Sequence, residues 1–534
     1  MACGPLTKWP SLAETILACF RKANRPVSIL RFDGIRRRGE SFIDPACRVR
    51  GCEYHRFTFS QGVRDIHATL DYLFGSSGLN PSCAVLVSFS AASIDARRAV
   101  ALDKTGRLAG WINVVGAPDL QSAMRVVSGG IDYVGGYERG MRFGLQEVQG
   151  VTVDMDHAAD DAIRNRLAFL DDALRDMACI ETPITWIHGR FDAWMDFERV
   201  KLLMGAGVAN NRKLIEVATG HQLRSSVEAI EVFQLIASEI GRFTGGRAIP
   251  RAVPDPETLR LRSAAERNRL PKPDYEPRRF WRDYLIGRNG HLGIELMTGT
   301  SAYQDLMARQ VEGLRLASGH RVLDLGSGTG SLSGYIDERL PGLRVQLTEV
   351  DFVREALCRS REKHLRSANA QNVGLSAVVC DLSLLNDERR LPLADGSQDS
   401  VLASLLISYL PNPERLIREA WRVLRPGGRF VLSTLRPDAD TSRIYEKGAE
   451  ELRLGRARVL FGDLDEVRLG QSIQSFMNDA ARLLELEEQS VFRFFDRTEL
   501  REILEGGGFE VVDVVAAFGS PPQAVLAIAS KPNR

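Results

Sequence analysis

Alternating glycines follow an apolar run in the C-terminal half of the sequence. The stretch from Arg321 to Gly330 reads RVLDLGSGTG, with glycines at positions 326, 328 and 330. Glycine allows a turn to adopt positive φ, and it lets backbone N–H groups approach a ligand where a Cβ atom would clash. The spacing predicts a tight loop around a cofactor, although it also fits a dinucleotide site or an ordinary strand-to-helix turn.

Acidic residues stand at the predicted ends of successive strands around this loop. Asp324 lies two residues before Gly326, Asp351 ends the run VQLTEVD, and Asp381 ends the run SAVVCD. Burying such carboxylates without partners is costly, so we expect them to accept hydrogen bonds from ribose hydroxyls, an ammonium group or an adenine amine. Together with the glycines they predict a nucleoside site.

A turn of small residues in the N-terminal half joins a predicted strand to a predicted helix. Residues 84–99 read AVLVSFSAASIDARRA. A serine on such a turn is held at the top of a sheet, where the N–H group of the next residue is available to stabilise an oxyanion. Two readings compete, with Ser90 in SFSAA or Ser93 in AASID as the nucleophile. A serine here also fits a helix cap.

An acid and a histidine follow later strands of the same half. Asp192 lies just past the strand in ITWIHGRFDAW, and His221 lies just past the strand in KLIEVATGHQL. The order serine, aspartate, histidine, each at the exit of a successive strand, is that of α/β-hydrolases. These residues predict an acyl-transfer site.

Short apolar strands alternate with amphipathic helices in both halves. This pattern predicts an α/β protein with two doubly wound domains, whose chemistry lies at the carboxyl ends of mostly parallel strands. Strands are predicted at 27–32, 84–89, 110–115, 184–188 and 213–217, and beginning near residues 321, 344, 376, 400, 428, 510 and 524. Helices of the first half are predicted near 11–23, 60–74, 95–103, 195–205 and 226–242.

The composition is that of a multidomain globular protein. The 534 residues are 44% hydrophobic and 26% charged, and they are too many for one ordinary core. A formal net charge of +1 gives no field that would draw the chain to nucleic acid or to an anionic membrane. No apolar run approaches the ~20 residues of a membrane helix, and the N-terminus lacks the pattern of a secretory signal. We therefore predict a cytoplasmic protein without a membrane span.

The eight cysteines are sparse and irregularly spaced, which predicts a reducing compartment rather than a disulfide framework. Cys47, Cys52 and His55 form a conceivable metal trio, but a second pair at zinc-finger spacing is missing from the sequence. We predict no metal.

Prolines interleaved with charged residues mark the boundary between the halves. They predict a linker at 246–277 that contains a short helix and separates domains at 1–245 and 278–534.

The C-terminal half resembles class I S-adenosylmethionine-dependent methyltransferases from about residue 280 to 532. The family's glycine motif is similar to VLDLGSGTG at 322–330, and its fourth and fifth strands are similar to DSVLASLLISYLPNPERLIREAWRVLRPGGRFVLST at 399–434. The resemblance implies a Rossmann-like seven-stranded domain that binds S-adenosylmethionine, with Asp351 rather than Glu349 as the ribose-binding acid. The implied cofactor-binding residues are Asp324, Gly326, Ser327, Gly328, Gly330, Asp351, Asp381 and Leu382.

The same resemblance leaves the methyl acceptor open. A carboxylate or an enol of low pKa needs no general base, whereas an amine, a hydroxyl or a carbon acid does. His291, Tyr303 and Tyr409 are candidates for lining the acceptor side, and each also fits an ordinary packing or capping role. We expect residues 280–306 and 441–492 to form the substrate lid.

Residues 1–270 resemble the acyltransferase, or acyl-carrier-protein thioesterase, that supplies fatty acid to the bacterial luciferase system. AASIDARRA at 91–99 is similar to that family's elbow, HGRFDAW at 188–194 to the segment of its acid, and TGHQL at 219–223 to its histidine loop. The resemblance implies Ser93 as the nucleophile, His221 as the base and then acid, and Asp192 as the residue that orients the imidazole. It also implies the Ile94 N–H group as an oxyanion donor.

One departure from that family concerns its opening strands. This sequence starts at what resembles the oxyanion loop, at residues 2–5, so we expect a hydrolase-like sheet without its first strands. The combined prediction is a bifunctional enzyme acting on a small-molecule or acyl substrate, with an acyl carrier protein as a candidate partner. Two alternatives remain: a methyltransferase whose hydrolase-like half only binds an acyl group or a carrier protein, and a non-catalytic protein built of two degenerate domains.

Overall fold

A computed structural model describes residues 8–36, 52–207, 211–224, 226–246, 248–269, 275–386, 388–457 and 465–533. The chain divides into two compact units, Met1–Asp274 and Tyr275–Arg534. Each unit contains its own main sheet.

The strands of the first unit form a parallel sheet and a separate hairpin. They are β1 (Ala84–Phe89), β2 (Leu108–Val114), β3 (Leu145–Val148), β4 (Val151–Asp154), β5 (Ile184–Phe191) and β6 (Arg212–Gly220). The main sheet has the order β1-β2-β5-β6 with parallel neighbours, and β3 pairs with β4 antiparallel. Trp111, Ile112 and Ile187 have no exposed surface, as expected of central parallel strands that are covered on both faces.

Helices connect these strands, and several of them begin at an aspartate that accepts hydrogen bonds from the first turn. Asp119, Asp154 and Asp196 cap the helices that follow them in this way. The helices are α1 (Lys8–Lys22), α2 (Phe59–Gly75), α3 (Ala92–Leu102), α4 (Leu120–Val127), α5 (Tyr133–Glu138), α6 (Met155–Arg164), α7 (Leu170–Cys179), α8 (Phe197–Gly205), α9 (Ser226–Phe243) and α10 (Pro256–Arg269).

The strand predicted at 27–32 is wrong. Residues 25–34 form no strand, and the side chains of Ile29, Leu30 and Phe32 are exposed. A strand needs a neighbour to satisfy its backbone groups, and β1 pairs with β2 as its one neighbour among the described strands. An apolar β-type composition was therefore not sufficient to build a strand here.

The stretch predicted as a linker contains α10, which packs against α1. Lys22 Nζ donates to the carbonyl oxygen of Arg251 at 3.0 Å, and Arg262 pairs with Glu14 at 3.3 Å. The described part of this stretch up to residue 269 is thus held on the first unit.

The second unit is built on one mixed sheet. Its strands are β7 (Arg321–Leu325), β8 (Val345–Asp351), β9 (Val373–Val379), β10 (Gln398–Ala403), β11 (Leu424–Leu435), β12 (Glu510–Ala517) and β13 (Ala524–Ser530). The order is β12-β13-β11-β10-β7-β8-β9, and β13 runs antiparallel to both of its neighbours. The other pairs are parallel. The strand order reverses at β7, which is where open α/β sheets bind ligands.

The helices of the second unit cover this sheet and its carboxyl end. They are α11 (Pro277–Ile286), α12 (Glu295–Thr298), α13 (Ser301–Leu314), α14 (Ser331–Arg339), α15 (Arg354–Arg366), α16 (Pro413–Val423), α17 (Ser442–Arg453), α18 (Glu466–Glu488) and α19 (Arg497–Gly506). The side chains of Val322, Leu347, Leu402 and Val431 have no exposed surface and form the centre of the core.

Within the described residues, none of the helices is both long enough and apolar enough to cross a membrane. The same part of the chain contains no group of histidine, cysteine and acidic side chains arranged to hold a metal ion. Cys47 and the predicted oxyanion loop at 2–5 lie outside the described residues.

Candidate functional site

Ser90, just after β1, faces His221. The Ser90 Oγ atom lies 2.8 Å from His221 Nε2, and His221 Nδ1 lies 2.8 Å from Asp192 Oδ2. Asp192 Oδ1 accepts hydrogen bonds from the N–H groups of Trp194 and Met195. Ser90, His221 and Asp192 thus form a continuous hydrogen-bonded chain. All three side chains are buried, which shields the chain from solvent.

The backbone at Ser90 is held in a left-handed conformation, with φ +52°. Its N–H group donates to the carbonyl oxygen of Val114, and its own carbonyl oxygen accepts from the N–H groups of Ser93 and Ala117. A non-glycine residue at positive φ is strained, and it persists where surrounding contacts over-determine it. These hydrogen bonds connect the turn to the end of β2 and to α3.

The structure does not bring Ser93, the predicted nucleophile, into contact with His221. Ser93 lies in the first turn of α3, and its hydroxyl donates to the carbonyl oxygen of Ala117 at 2.8 Å rather than to His221. The Ile94 N–H group, the predicted oxyanion donor, is bonded to the carbonyl oxygen of Ala91. The resemblance of AASIDARRA to an elbow predicts a turn at Ser93, but the helix already begins at Ala92. Ser90, the competing reading, occupies the turn.

A buried arginine supports the loop behind this turn. Arg97 Nε lies 3.3 Å from Asp176 Oδ2, and Arg97 Nη1 donates to the carbonyl oxygen of Pro118 at 3.1 Å. Asp176 also pairs with Arg98 at 2.7 Å. Ser93 and Arg97, both on α3, hydrogen-bond to the carbonyl oxygens of Ala117 and Pro118. They therefore fix the loop whose Ala117 N–H group donates to the Ser90 carbonyl oxygen.

We expect Arg97→Ala to lower the free energy of unfolding of the first unit by about 3–5 kcal/mol, because it breaks a buried ion pair and leaves the Pro118 carbonyl unpaired. Arg98→Ala is the matched control, since Arg98 binds the same Asp176 from a more exposed position; we expect a loss of about 1 kcal/mol or less. Denaturant unfolding followed by tryptophan fluorescence measures both. Equal losses would contradict the role assigned to Arg97.

The glycine loop of the second unit connects β7 to α14. Gly326, Gly328 and Gly330 have φ angles of +68°, +53° and +78°. A side chain in this region of φ would be strained. The Gly326 N–H group donates to the carbonyl oxygen of Val350 at 2.8 Å, so the loop is bonded to the end of β8.

Asp351 holds this loop from the end of β8. Its Oδ2 atom accepts from the Gly328 N–H group at 2.9 Å, and its Oδ1 atom accepts from the Val353 N–H group at 2.8 Å. Burial raises the pKa of the Asp351 carboxyl, and these backbone bonds oppose the rise. The acid that the sequence assigned to the ribose therefore also shapes the loop.

Asp324 and Glu349 are buried carboxyls beneath the loop. Burial raises the pKa of Asp324 well above its ordinary value, and the nearby Glu349 and Asp351 add to the rise. Glu349 Oε1 accepts from the hydroxyls of Ser333 and Ser360 at 2.8 and 2.9 Å, while Glu349 Oε2 has no hydrogen-bond partner in the described part of the chain. Burial disfavours the ionised form of both carboxyls. A bound cationic group would favour that form.

We expect Asp324→Asn to raise the melting temperature of the cofactor-free protein at neutral pH. Because the folded-state pKa of Asp324 is raised, its stabilising contribution is present in full below the pKa of the unfolded chain and is lost as pH rises through the folded value. Each recovered kcal/mol corresponds to about 2–4 °C for a unit of this size. Melting curves across pH measure this: the wild type should lose stability with rising pH more steeply than the variant, and parallel profiles would refute it.

Asp381 and Leu382 follow β9. Asp381 Oδ1 accepts from the N–H group and the hydroxyl of Ser383, which caps the short turn at Leu382–Leu384. Leu382 is buried. The loop, Asp351 and Asp381 lie at the carboxyl ends of β7, β8 and β9, which are adjacent strands.

Orphaned polar atoms show that this edge of the sheet fits a nucleoside cofactor. Within the described residues, the buried hydroxyls of Ser327 and Thr329 have no hydrogen-bond partner. A Cβ atom on Gly328 would lie 3.1 Å from the Leu285 side chain, a closer contact than most Cβ atoms make, so a larger residue would have to displace Leu285. Unpaired donors and acceptors around a glycine loop match a ligand with sugar hydroxyls and an ammonium group.

Comparisons with known proteins agree with this geometry. A family model described as a methyltransferase domain matches residues 323–432. The malonyl-[acyl-carrier protein] O-methyltransferase of Laribacter hongkongensis is 38% identical over 25% of this chain and 43% of its own length. The phosphatidylethanolamine N-methyltransferase of Cereibacter sphaeroides is 40% identical over 22% of this chain and 51% of its own length.

The second unit contains a class I S-adenosylmethionine-dependent methyltransferase domain. The predicted Rossmann-like fold and the predicted cofactor, S-adenosylmethionine, are thereby confirmed. Among solved structures, an S-adenosylmethionine-dependent methyltransferase from Mesorhizobium loti is 18% identical, with a TM-score of 0.29, and the match covers 44% of this chain and all of that one. The chain spans about half the length of the curated relatives named above.

Aromatic rings surround two of the tyrosines named above. Tyr409, predicted to line the acceptor side, lies against Trp281 and Phe492, whereas Tyr284 and Tyr445 both lie against Phe476. Tyr303, also predicted to line it, lies against Phe518. The sequence analysis did not predict Tyr284 and Tyr445. Each is one aromatic residue within a predicted lid segment, and its type alone does not distinguish a site residue from a packing residue. Burial lowers the pKa of His291, the third residue predicted to line the acceptor side.

Proposed function

We propose that the chain is a bifunctional enzyme in lipid or specialised-metabolite biosynthesis. Its first unit would hydrolyse or transfer an acyl group from a thioester through Ser90, and its methyltransferase domain would methylate a small or carrier-bound molecule. The observation that carries the first activity is the hydrogen-bonded chain from Ser90 through His221 to Asp192. We further propose that the first unit is an α/β-hydrolase-like domain and that the enzyme acts in the cytoplasm.

The geometry of the first unit supports nucleophilic catalysis. His221 Nε2 is placed to take the Ser90 proton as the hydroxyl attacks a thioester carbonyl, and then to protonate the leaving thiol. Asp192 orients the ring and stabilises the imidazolium. The Ala91 N–H group, next to Ser90 at the start of α3, is the candidate oxyanion donor.

In the methyltransferase domain, Asp351 would accept from the ribose hydroxyls, Asp381 from the adenine amine, and Asp324 from the ammonium group. S-adenosylmethionine supplies an electrophilic methyl group when bound. Gly326, Gly328 and the rest of the loop would allow the backbone to approach it closely. The protein's contribution is to orient the acceptor and to exclude water.

An acyl carrier protein is the proposed partner. The Laribacter hongkongensis relative is a malonyl-[acyl-carrier protein] O-methyltransferase, and a serine site for thioesters fits the same kind of substrate. The partner would then deliver an acyl group to one unit or to both.

Two experiments on the full-length protein separate this proposal from its alternatives. Calorimetry should show S-adenosylmethionine binding, and a fluorophosphonate probe followed by intact mass analysis should label the protein once. Binding without labelling would favour a methyltransferase with a hydrolase-like binding module. Failure of both would favour a non-catalytic protein.

A further inference from the structure

Helix α13 carries one polar side chain at a position whose neighbours are apolar. The side chains of Leu306, Met307, Val311 and Leu314 are buried, and Gln310 among them has no exposed surface. The Gln310 Oε1 atom has no hydrogen-bond partner in the described part of the chain. A methionine would fill this place without burying an amide, so stability alone does not explain a glutamine here.

The amide nitrogen of Gln310 connects the ends of two strands. Its Nε2 atom donates to Ser404 Oγ at 3.0 Å and to Ser433 Oγ at 2.8 Å. Ser404 directly follows β10, and Ser433 lies two residues before the end of β11. Both hydroxyls are therefore at the carboxyl edge of the sheet, where the neighbouring strand β7 leads into the glycine loop. The buried amide thus acts at the edge that binds the cofactor.

The turn after β10 is strained, and the same serine hydroxyl holds it. Leu405 has a φ angle of +49°, a left-handed conformation that is unfavourable for leucine. Its N–H group donates to Ser433 Oγ at 3.0 Å. A residue in this conformation persists where surrounding contacts over-determine it. Ser433 supplies one such contact, and the bond from Gln310 fixes the position of the Ser433 hydroxyl.

The strained turn lies directly against the glycine loop. Leu406 follows Leu405, and a Cβ atom placed on Gly326 would lie 2.7 Å from Leu406 Cδ1. The Leu406 side chain therefore packs on the backbone of the loop itself. Because packed side chains leave little free space, a small shift of the turn would open a gap at Gly326 or press Leu406 into it. The conformation of Leu405 thus sets the position of this wall of the cofactor site.

The same helix also holds the other end of the loop. Tyr303 lies seven residues before Gln310, about two helical turns, and therefore on the same face of α13. The Tyr303 hydroxyl donates to Ser331 Oγ at 3.2 Å, and Ser331 directly follows Gly330. One helix is thus bonded both to the end of the glycine loop and to the strand ends beside the strained turn, which fixes the spacing between them.

We propose that Gln310 is a positioning residue of the methyltransferase site, which through Ser433 keeps Leu405 in the left-handed conformation that places Leu406 against the glycine loop. This inference rests on the binding of S-adenosylmethionine at that loop. Without the amide, the turn would relax to a less strained conformation, and the cofactor would have to restore the competent one on binding. The glutamine therefore preorganises the cofactor site.

Gln310→Met tests this role, because methionine has a similar volume and lacks the amide. We expect calorimetry to show S-adenosylmethionine affinity reduced about 10-fold, the size of effect that strain at one residue can produce. The melting temperature of the cofactor-free protein should stay at or above the wild-type value, because an unpaired amide oxygen is no longer buried. Ser433→Ala removes the acceptor of the Leu405 N–H group, and it should weaken cofactor binding to a similar extent.

Gln304→Met is the matched control, since it makes the same change on the same helix. The Gln304 amide donates to the carbonyl oxygen of Thr298, at the end of α12, at 2.7 Å. We expect this variant to lower the melting temperature and to leave the cofactor affinity unchanged. An equal loss of affinity in Gln304→Met would overturn the inference.

Leu405→Gly separates positioning from packing. Glycine adopts positive φ without a steric penalty, so the turn no longer depends on the amide to hold it. We expect Gln310→Met and Ser433→Ala, each combined with Leu405→Gly, to bind the cofactor within about 3-fold of Leu405→Gly alone, because the effects are then coupled rather than additive.

An affinity that is unchanged in Gln310→Met and Ser433→Ala would overturn the inference. So would a loss of affinity and of melting temperature that Leu405→Gly fails to restore, because that result would show a merely structural role. Wild-type protein that does not bind S-adenosylmethionine would instead count against the cofactor site itself.

Discussion

Ser90→Ala should abolish acyl transfer and covalent labelling of the first unit. The rate of acyl thioester hydrolysis is expected to fall on the order of 10⁴- to 10⁶-fold, because the variant loses the hydroxyl that is hydrogen-bonded to His221. The hydrolysis rate is measured from the release of free thiol. Labelling is measured by intact mass analysis after treatment with a fluorophosphonate. The fold should persist, since alanine keeps the Cβ atom and the backbone bonds of the turn.

Ser93→Ala is the matched control for this experiment. It removes a hydroxyl only three positions along the same segment, and it breaks a hydrogen bond to Ala117 rather than the one to His221. We expect a loss of about 1 kcal/mol in the free energy of unfolding and retained labelling. Labelling that survives in Ser90→Ala and disappears in Ser93→Ala would restore Ser93 as the nucleophile.

Asp351→Ala should weaken S-adenosylmethionine binding by at least about 100-fold. The variant leaves the N–H groups of Gly328 and Val353 without their carboxylate acceptor, and it also removes the proposed ribose partner. Hydrogen bonds to charged groups contribute about 1.5–3 kcal/mol each, so losing two or more accounts for that factor. Calorimetric titration with the cofactor measures the change.

Asp513→Ala is the control for this second variant, because Asp513 is an exposed carboxylate on β12. It should bind the cofactor as wild type does. Serine labelling should persist in Asp351→Ala, because the labelled serine lies in the first unit; a thermal melting curve of the variant shows whether the second unit still folds. Cofactor affinity that is unchanged in Asp351→Ala would contradict the assignment of the site.

Local patterns were sufficient for much of the fold. The parallel strands of both units and the glycine loop were predictable because continuous apolar runs, turn glycines and strand-end acids are encoded in short stretches of sequence. The strand at 27–32 failed because pairing depends on which neighbour is present, and no local pattern reports this. The small helices α4 and α5 and the β3–β4 hairpin were also not predicted, since their segments are too short to show a clear hydrophobic period.

The candidate sites show the same division. Asp192 and His221 were assigned from their positions after strands, and the structure brings them together. Choosing between Ser90 and Ser93 depended on where α3 begins, and a run of small residues leaves that boundary open by several positions. Tyr284 and Tyr445 are far apart in sequence and both pack on Phe476 of α18, so composition alone did not identify them.

The bonding of Asp351 has a consequence for how quickly the cofactor binds. A carboxylate offers about four lone-pair positions; the Gly328 N–H group of the loop uses one of them and the Val353 N–H group after β8 uses another. The remaining positions are free for a sugar, so the loop need not rearrange before the ligand arrives. We therefore expect association in a single kinetic phase whose rate rises linearly with ligand concentration, as in a preorganised receptor.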